Sequence, residues 1–210
     1  MASKLPVFEP LHEDNILPAS ILLFYGGNWL TELGGRIYKH PYKPAAYHAA
    51  GYIGRYEVLN IGKTATIEDI RSLKRSTRRI DVITLLDLNG NERDTICRKF
   101  RRDAGKNIYD VGGYARFASK LKVLRFLKFA RSSRENDFCS DNVVDNFSEP
   151  PLKHKGEPDE VYKSLLLPRA IEVSAQKSED TAPWHLLEHA LANPSTRRVN
   201  TAWIGTEFKS

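Results

Sequence analysis

A cysteine, a histidine and an amide in this 210-residue sequence have the types and the order that thiol chemistry uses: Cys139, His48 and Asn60. A thiol becomes a nucleophile when its pKa is lowered, an imidazole adjoins it and a third group orients that imidazole. Cys139 stands in Asp137-Phe138-Cys139-Ser140, at the head of a helical stretch that stacks Val143 and Phe147 at four-residue spacing. Unpaired N–H groups and the macrodipole at a helix start favour thiolate, and Asp137, although locally opposed in charge, can cap the helix. His48 lies in a strand pattern, Tyr47-His48-Ala49-Ala50-Gly51-Tyr52-Ile53-Gly54, where small residues leave room for another group to approach. The next strand carries Asn60 in Val58-Leu59-Asn60-Ile61-Gly62, and pairing of the two would set an amide beside the imidazole and fix its tautomer. Taken singly, each has a plainer explanation: a small buried thiol, a satisfied strand histidine, a polar residue near a turn. Their order and spacing are what favour chemistry.

The other candidates are weaker. His185 and His189 sit four apart in His-Leu-Leu-Glu-His, with Glu188 between them, and the string matches the inverted zincin order literally. A zinc site needs a third protein ligand, and only Glu207 stands downstream. Packing of Leu186, Leu187, Ala190 and Leu191 explains the same helix without metal, so a zinc hydrolase is the lesser alternative and no metal is expected. Neither a Gly-x-Gly-x-x-Gly nor a Walker sequence occurs, and no cofactor is expected. Cys97, on a basic helix, reads as packed.

Several elements must position these residues. Residues 1–16, with Pro6 and Pro10, read as an extended lead-in, and residues 21–25 as a short buried strand closed by Gly26-Gly27. Asn28 can cap a helix over Trp29, Leu30, Leu33 and Ile37, which Pro41 and Pro44 follow. Residues 47–54 and 56–61 read as neighbouring strands, 66–73 as a short helix or turn, and 80–86 as the clearest strand. Asn89-Gly90 marks a turn, and Ile96, Phe100 and Ala104 then recur at four-residue spacing on a helix stopped by Gly105. A second basic helix is expected over 114–130, a long loop or insertion over 148–180, a last helix over 181–193 and a final strand over 198–204.

Composition narrows the setting. No apolar run approaches the roughly 20 residues of a membrane-spanning helix. The opening Met1-Ala2-Ser3-Lys4-Leu5-Pro6 lacks the basic and apolar regions of a secretory signal, and two cysteines cannot make a disulfide framework. A soluble protein of a reducing cytoplasm is expected, with a virion-associated one as the alternative. Residues 63–134 hold 19 Lys/Arg against 8 Asp/Glu, while the rest of the chain holds 13 against 18. The basic third raises a polyanion partner, with Arg98, Lys99, Arg101 and Arg102 at its centre, although a solvated basic face is the simpler reading in the absence of a binding motif. Oligomeric state is not legible.

Taken together, these segments resemble the circularly permuted branch of the NlpC-type papain-like cysteine hydrolases. The matching pieces run in order: Leu17-Pro18-Ala19-Ser20-Ile21-Leu22, His48-Ala49-Ala50-Gly51-Tyr52-Ile53, Val58-Leu59-Asn60, Ile108-Tyr109-Asp110, Phe138-Cys139-Ser140-Asp141 and Pro183-Trp184-His185-Leu186. They span residues 17–190, and histidine precedes cysteine by 91 positions, the reverse of ordinary papain-like enzymes. The resemblance implies an α+β domain over 17–210, a small antiparallel sheet holding His48 and Asn60 packed on a helix that begins at Cys139. It implies thiol-dependent hydrolysis or acyl transfer at an amide or ester, with a peptide, amide or lipid ester as substrate. Cys139 would be the nucleophile, His48 the base and Asn60 its orienter; Tyr109 and Ser140 would contribute to substrate or oxyanion binding. Ala19-Ser20 replaces the family's Gly-Asp, Asp141 its Glu, and Asn60 a carboxylate carried by several relatives. An amide stabilises the imidazolium less than a carboxylate does, which makes Glu57 an alternative orienter, although its strand parity differs from that of Asn60. A non-enzymatic basic structural protein on the same fold is the competing expectation.

Overall fold

The computed structural model describes residues 3–4, 6–26, 32, 36, 39–62, 64–77, 79–106, 139–149, 163–164, 182–192 and 199–205. Among them the protein is α+β, organised on one seven-stranded mixed sheet. In chain order the strands are β1 (Ser3–Lys4), β2 (Glu9–Pro10), β3 (Ser20–Tyr25), β4 (Tyr42–Lys43), β5 (His48–Gly54), β6 (Glu57–Ile61), β7 (Ala65–Asp69), β8 (Arg79–Leu85), β9 (Ser148–Glu149), β10 (Lys163–Ser164) and β11 (Val199–Gly205). The helices are α1 (Ile70–Ser76), α2 (Gly90–Asp103), α3 (Cys139–Asn146) and α4 (Pro183–Ala192). The main sheet runs β2-β11-β8-β3-β5-β6-β7; β2 lies parallel to β11 and every other neighbour is antiparallel. β1 with β4, and β9 with β10, form separate two-residue pairs.

Strand alternation assigns the two faces. Ile21, Leu23, Ala49, Ile53, Leu59, Ile61 and Ile83 pack beneath α2, α3 and α4, which add Ile96, Phe100, Val143, Val144, Leu186 and Leu187. Leu22, Phe24, Ala50, Tyr52, Val58, Ile80 and Val82 face the opposite layer, which Ile70 of α1 and Ile16 complete. Covering both faces explains why β3 is buried at every position, a continuous apolar run rather than an alternation. α2 begins at Gly90, inside the segment read as a turn, because Asn89 and Glu92 form a capping box. The Glu92 N–H donates to Asn89 Oδ1 at 2.9 Å and the Asn89 N–H donates to Glu92 Oε2 at 2.8 Å, a device typically worth about 1 kcal/mol.

The sheet differs from the small antiparallel one expected. The segment read as a lead-in supplies β2, whose pairing with β11 continues as the Leu11 N–H donates to the Trp203 carbonyl at 2.7 Å. Two residues without apolar alternation carry no local strand signal, so only the tertiary pairing reveals it. Residues 66–73, read as a helix or turn, divide at Asp69, which caps α1 by accepting from the Arg71 N–H at 2.8 Å. The residues before that cap pair with β6 as β7. Most of the helix expected over 28–37, all of that over 114–130 and most of the insertion over 148–180 lie outside the described residues. No helix among the described residues is long and apolar enough to cross a membrane.

Candidate active site

The candidate site forms where β5 begins. His48 is its first residue, and its ring lies beside that of its β3 cross-strand partner Phe24, with centroids 5.3 Å apart. β5 pairs Gly51 with Leu59 and Tyr52 with Val58. Continuing that antiparallel register sets Asn60 opposite Ala50, on the same face as His48 and one diagonal step away. The side chains meet there: His48 Nε2 is 2.6 Å from Asn60 Oδ1. An amide oxygen only accepts, so Nε2 carries the proton.

Cys139 belongs to the other layer, with Ala49, and meets the histidine where β5 begins. It is the first residue of α3, 8% exposed, and its thiol and the His48 side chain lie close enough to shift each other's ionisation. Nε2 is engaged by Asn60, which leaves Nδ1 for the sulfur. α3 is held against the sheet by Val143, Val144 and Phe147; Phe147 meets Phe100 of α2 edge to face, with centroids 6.0 Å apart. A buried polar knot fixes the same helix from α2. Asp103 accepts from Asn142 Nδ2 at 3.0 Å, Asn146 Nδ2 at 2.9 Å and Lys106 Nζ at 2.5 Å. Gly51 admits the close approach of α2 to β5, since a Cβ there would lie 2.3 Å from the Phe100 ring.

The electrostatics of the pair run in opposite directions. Burial opposes ionisation of the Cys139 thiol, but the charge of His48, the hydrogen bond to it and the backbone N–H groups of Ala49 and Ser140 outweigh it, and the pKa falls below 9.0. Burial likewise opposes the His48 cation, yet the Cys139 charge and hydrogen bond, then Asn60, then the charge of Glu68, raise its pKa above 6.5. The arrangement therefore favours a thiolate beside an imidazolium. Cys97 is the contrast within the same chain. Burial raises its pKa, and its Sγ lies 3.4 Å from the Ile53 carbonyl it donates to.

The remaining candidates fall elsewhere. Glu57, the alternative orienter, bonds Arg101 at 2.9 Å and shares the opposite strand parity, so Asn60 rather than Glu57 meets the imidazole. The Ser140 side chain is 1% exposed and packed inward, and it is its N–H that lies at the Cys139 sulfur. Tyr109 lies outside the described residues. On α4, His185 Nδ1 accepts from the Ala182 N–H at 3.0 Å, and Glu188 Oε1 is 2.5 Å from Nδ1 of the buried His40. Among the described residues no group of three potential metal ligands assembles. Of the basic cluster, Arg101 is paired with Glu57, Arg102 Nε lies 3.7 Å from Asp103 Oδ1, and Arg98 donates to Thr95.

One site residue has no counterpart in the sequence reading. Glu68 of β7 accepts from Asn60 Nδ2 at 2.8 Å and from the Thr66 hydroxyl at 2.9 Å through the same Oε1. Reading 65–69 as an edge strand ended by the Asp69 cap would have set Thr66 and Glu68 on the face of Asn60. No family model, curated protein or solved structure matches the chain.

Proposed function

We propose that this protein is a thiol-dependent hydrolase or acyl transferase acting on an amide or ester, with Cys139 as nucleophile, His48 as its acid–base partner and Asn60 as the orienting residue. The observation that carries the proposal is the Cys139–His48 contact at a helix start, with the second ring nitrogen taken up by Asn60. The ordered short motifs that resemble the permuted NlpC-type papain-like hydrolases agree with this reading, and that permuted fold is part of the proposal.

In the reaction, the Cys139 thiolate adds to the carbonyl carbon and the carbonyl π pair moves to oxygen. The Cys139 backbone N–H, at the start of α3, would donate to the oxyanion, and removal of such a donor typically costs about 3–4 kcal/mol of transition-state stabilisation. Collapse breaks the C–N or C–O bond as the His48 imidazolium delivers its proton to the departing amine or alcohol. A thioester on Cys139 remains. Water, or another acyl acceptor, attacks it while neutral His48 takes the proton; departure of the sulfur then regenerates the thiolate–imidazolium pair. Peptides, other amides and lipid esters all present a suitable carbonyl.

A thiol-directed alkylating probe with site mapping by mass spectrometry tests the assignment. Cys139 is expected to react at neutral pH well ahead of Cys97 and to lose that advantage in His48→Ala. Equal labelling, or a Cys139 rate indifferent to His48, would remove the nucleophile.

A further inference from the structure

We infer that Glu68 is a positioning residue that dictates which nitrogen of His48 carries the proton, acting through the amide of Asn60. The inference rests on the thiol-hydrolase reading and extends it from β6 to the neighbouring strand β7.

An asparagine side chain is ambiguous as an orienter, because its two ends differ only in hydrogen-bond sense. With Oδ1 toward the imidazole it accepts, the proton resides on Nε2 and the nitrogen left for the sulfur is a base. With Nδ2 toward the imidazole it donates, Nε2 loses its proton and the other nitrogen becomes a donor, unable to take a proton from a thiol. Asn60 alone permits both. Glu68 removes the second, because an ionised carboxylate only accepts. Its Oε1 lies 2.8 Å from Asn60 Nδ2, which turns Oδ1 to His48 Nε2 at 2.6 Å. The Thr66 hydroxyl donates to that same Oε1 at 2.9 Å and holds the carboxylate in place. The strand register makes the arrangement rigid. Asn60 pairs directly with Thr66 and Val58 with Glu68, so Glu68 approaches the amide along the diagonal of the same sheet face. The negative charge of Glu68 also supports the imidazolium. An acidic residue thereby supplies at one remove part of what a carboxylate in direct contact would give.

Two variants isolate this role. In Glu68→Gln the isosteric amide can donate as well as accept, so Asn60 is released to turn over and the charge is lost. Alkylation of Cys139 followed against pH should show the thiolate midpoint rising by about half a unit or more and the neutral-pH rate falling by about threefold or more. In the double variant Asn60→Asp/Glu68→Gln the polarity is rebuilt. The carboxylate introduced on β6 accepts both from the imidazole and from the amide introduced on β7, and the midpoint should return toward wild type. Glu68→Asp, which keeps an accept-only group, should stay nearer wild type than Glu68→Gln even if both lose stability. A Glu68→Gln profile superimposable on wild type, or a double variant no better than Glu68→Gln, overturns the inference. If instead wild-type Cys139 has no His48-dependent advantage over Cys97, the nucleophile assignment has failed.

Discussion

At the scale of single residues, two ionisable groups change each other. His48 is raised and Cys139 lowered by their mutual charge and hydrogen bond acting against burial. Each shift favours the charged form of its group, and acylation by a hydrolysable ester should follow a bell-shaped pH profile, with the acid limb lost as the thiolate is protonated and the alkaline limb as the imidazolium gives up its proton. Asn60→Ala removes the orienter but leaves the imidazole. Turnover should fall by about tenfold or more while the thiol stays partly reactive, a split that comparing kcat with alkylation rate would reveal. Equal loss of both would mean that Asn60 matters to the fold rather than to the imidazole. The placement of Cys139, His48 and Asn60 on their elements was legible in the sequence because a helix start, a strand histidine and an alternating strand are local patterns. Glu68 was not, because its role depends on β7 pairing with β6, and Thr66-Ile67-Glu68-Asp69-Ile70 reads locally as a helix start as readily as an edge strand.

At the scale of elements, the question is what brings α3 to the end of β5. The Phe100 contact at Gly51 and the Asp103 knot are the two fixtures. Gly51→Ala forces a Cβ into the Phe100 ring and should destabilise the protein by about 1–3 kcal/mol in chemical unfolding, with Phe100→Leu in the same chain recovering part of it. Asp103 is desolvated by burial, which pushes its pKa up, yet the donors Lys106, Asn146 and Asn142 hold it below 3.8. A folded value below the unfolded one contributes stability that is present above about pH 3.8 and disappears as pH falls through the folded value. Asn146→Ala removes a donor, so the acid unfolding midpoint followed by circular dichroism should move to higher pH, with a loss of about 1–3 kcal/mol at neutral pH. An unchanged midpoint would mean that Asp103 is not held by the knot. The apolar period of α2 and the β-branched run of β8 were legible because burial dictates them residue by residue. The bonds of Asp103 to Asn142 and Asn146 were not, since sequence separation hides polar contacts between helices that periodicity places only one at a time.

At the scale of the molecule, seven strands flanked by helices on both faces bury the sheet and leave the Cys139–His48 pair at its end, where α3 meets β5. Among the described residues the basic side chains of 63–134 lie mainly on α1 and α2, and Arg71, Lys74, Arg101 and Arg102 among them have acidic neighbours. Retention on a polyanion column should accordingly be weak. If it depends on α2, it falls steeply with salt, and charge reversal at Arg98, Lys99, Arg101 and Arg102 flattens that slope. Strong retention unchanged by the reversal would place polyanion binding elsewhere in the chain. The central claim, that the fold holds Cys139 as a thiolate against His48, is tested most directly by the ultraviolet absorbance of the thiolate, taken as the difference between wild type and Cys139→Ser across pH. The thiolate should titrate below pH 9.0 in the folded protein, and its midpoint should rise in His48→Ala, where burial is left without the imidazolium. A thiolate that forms only at or above pH 9.0, at the same midpoint with and without His48, would contradict that claim.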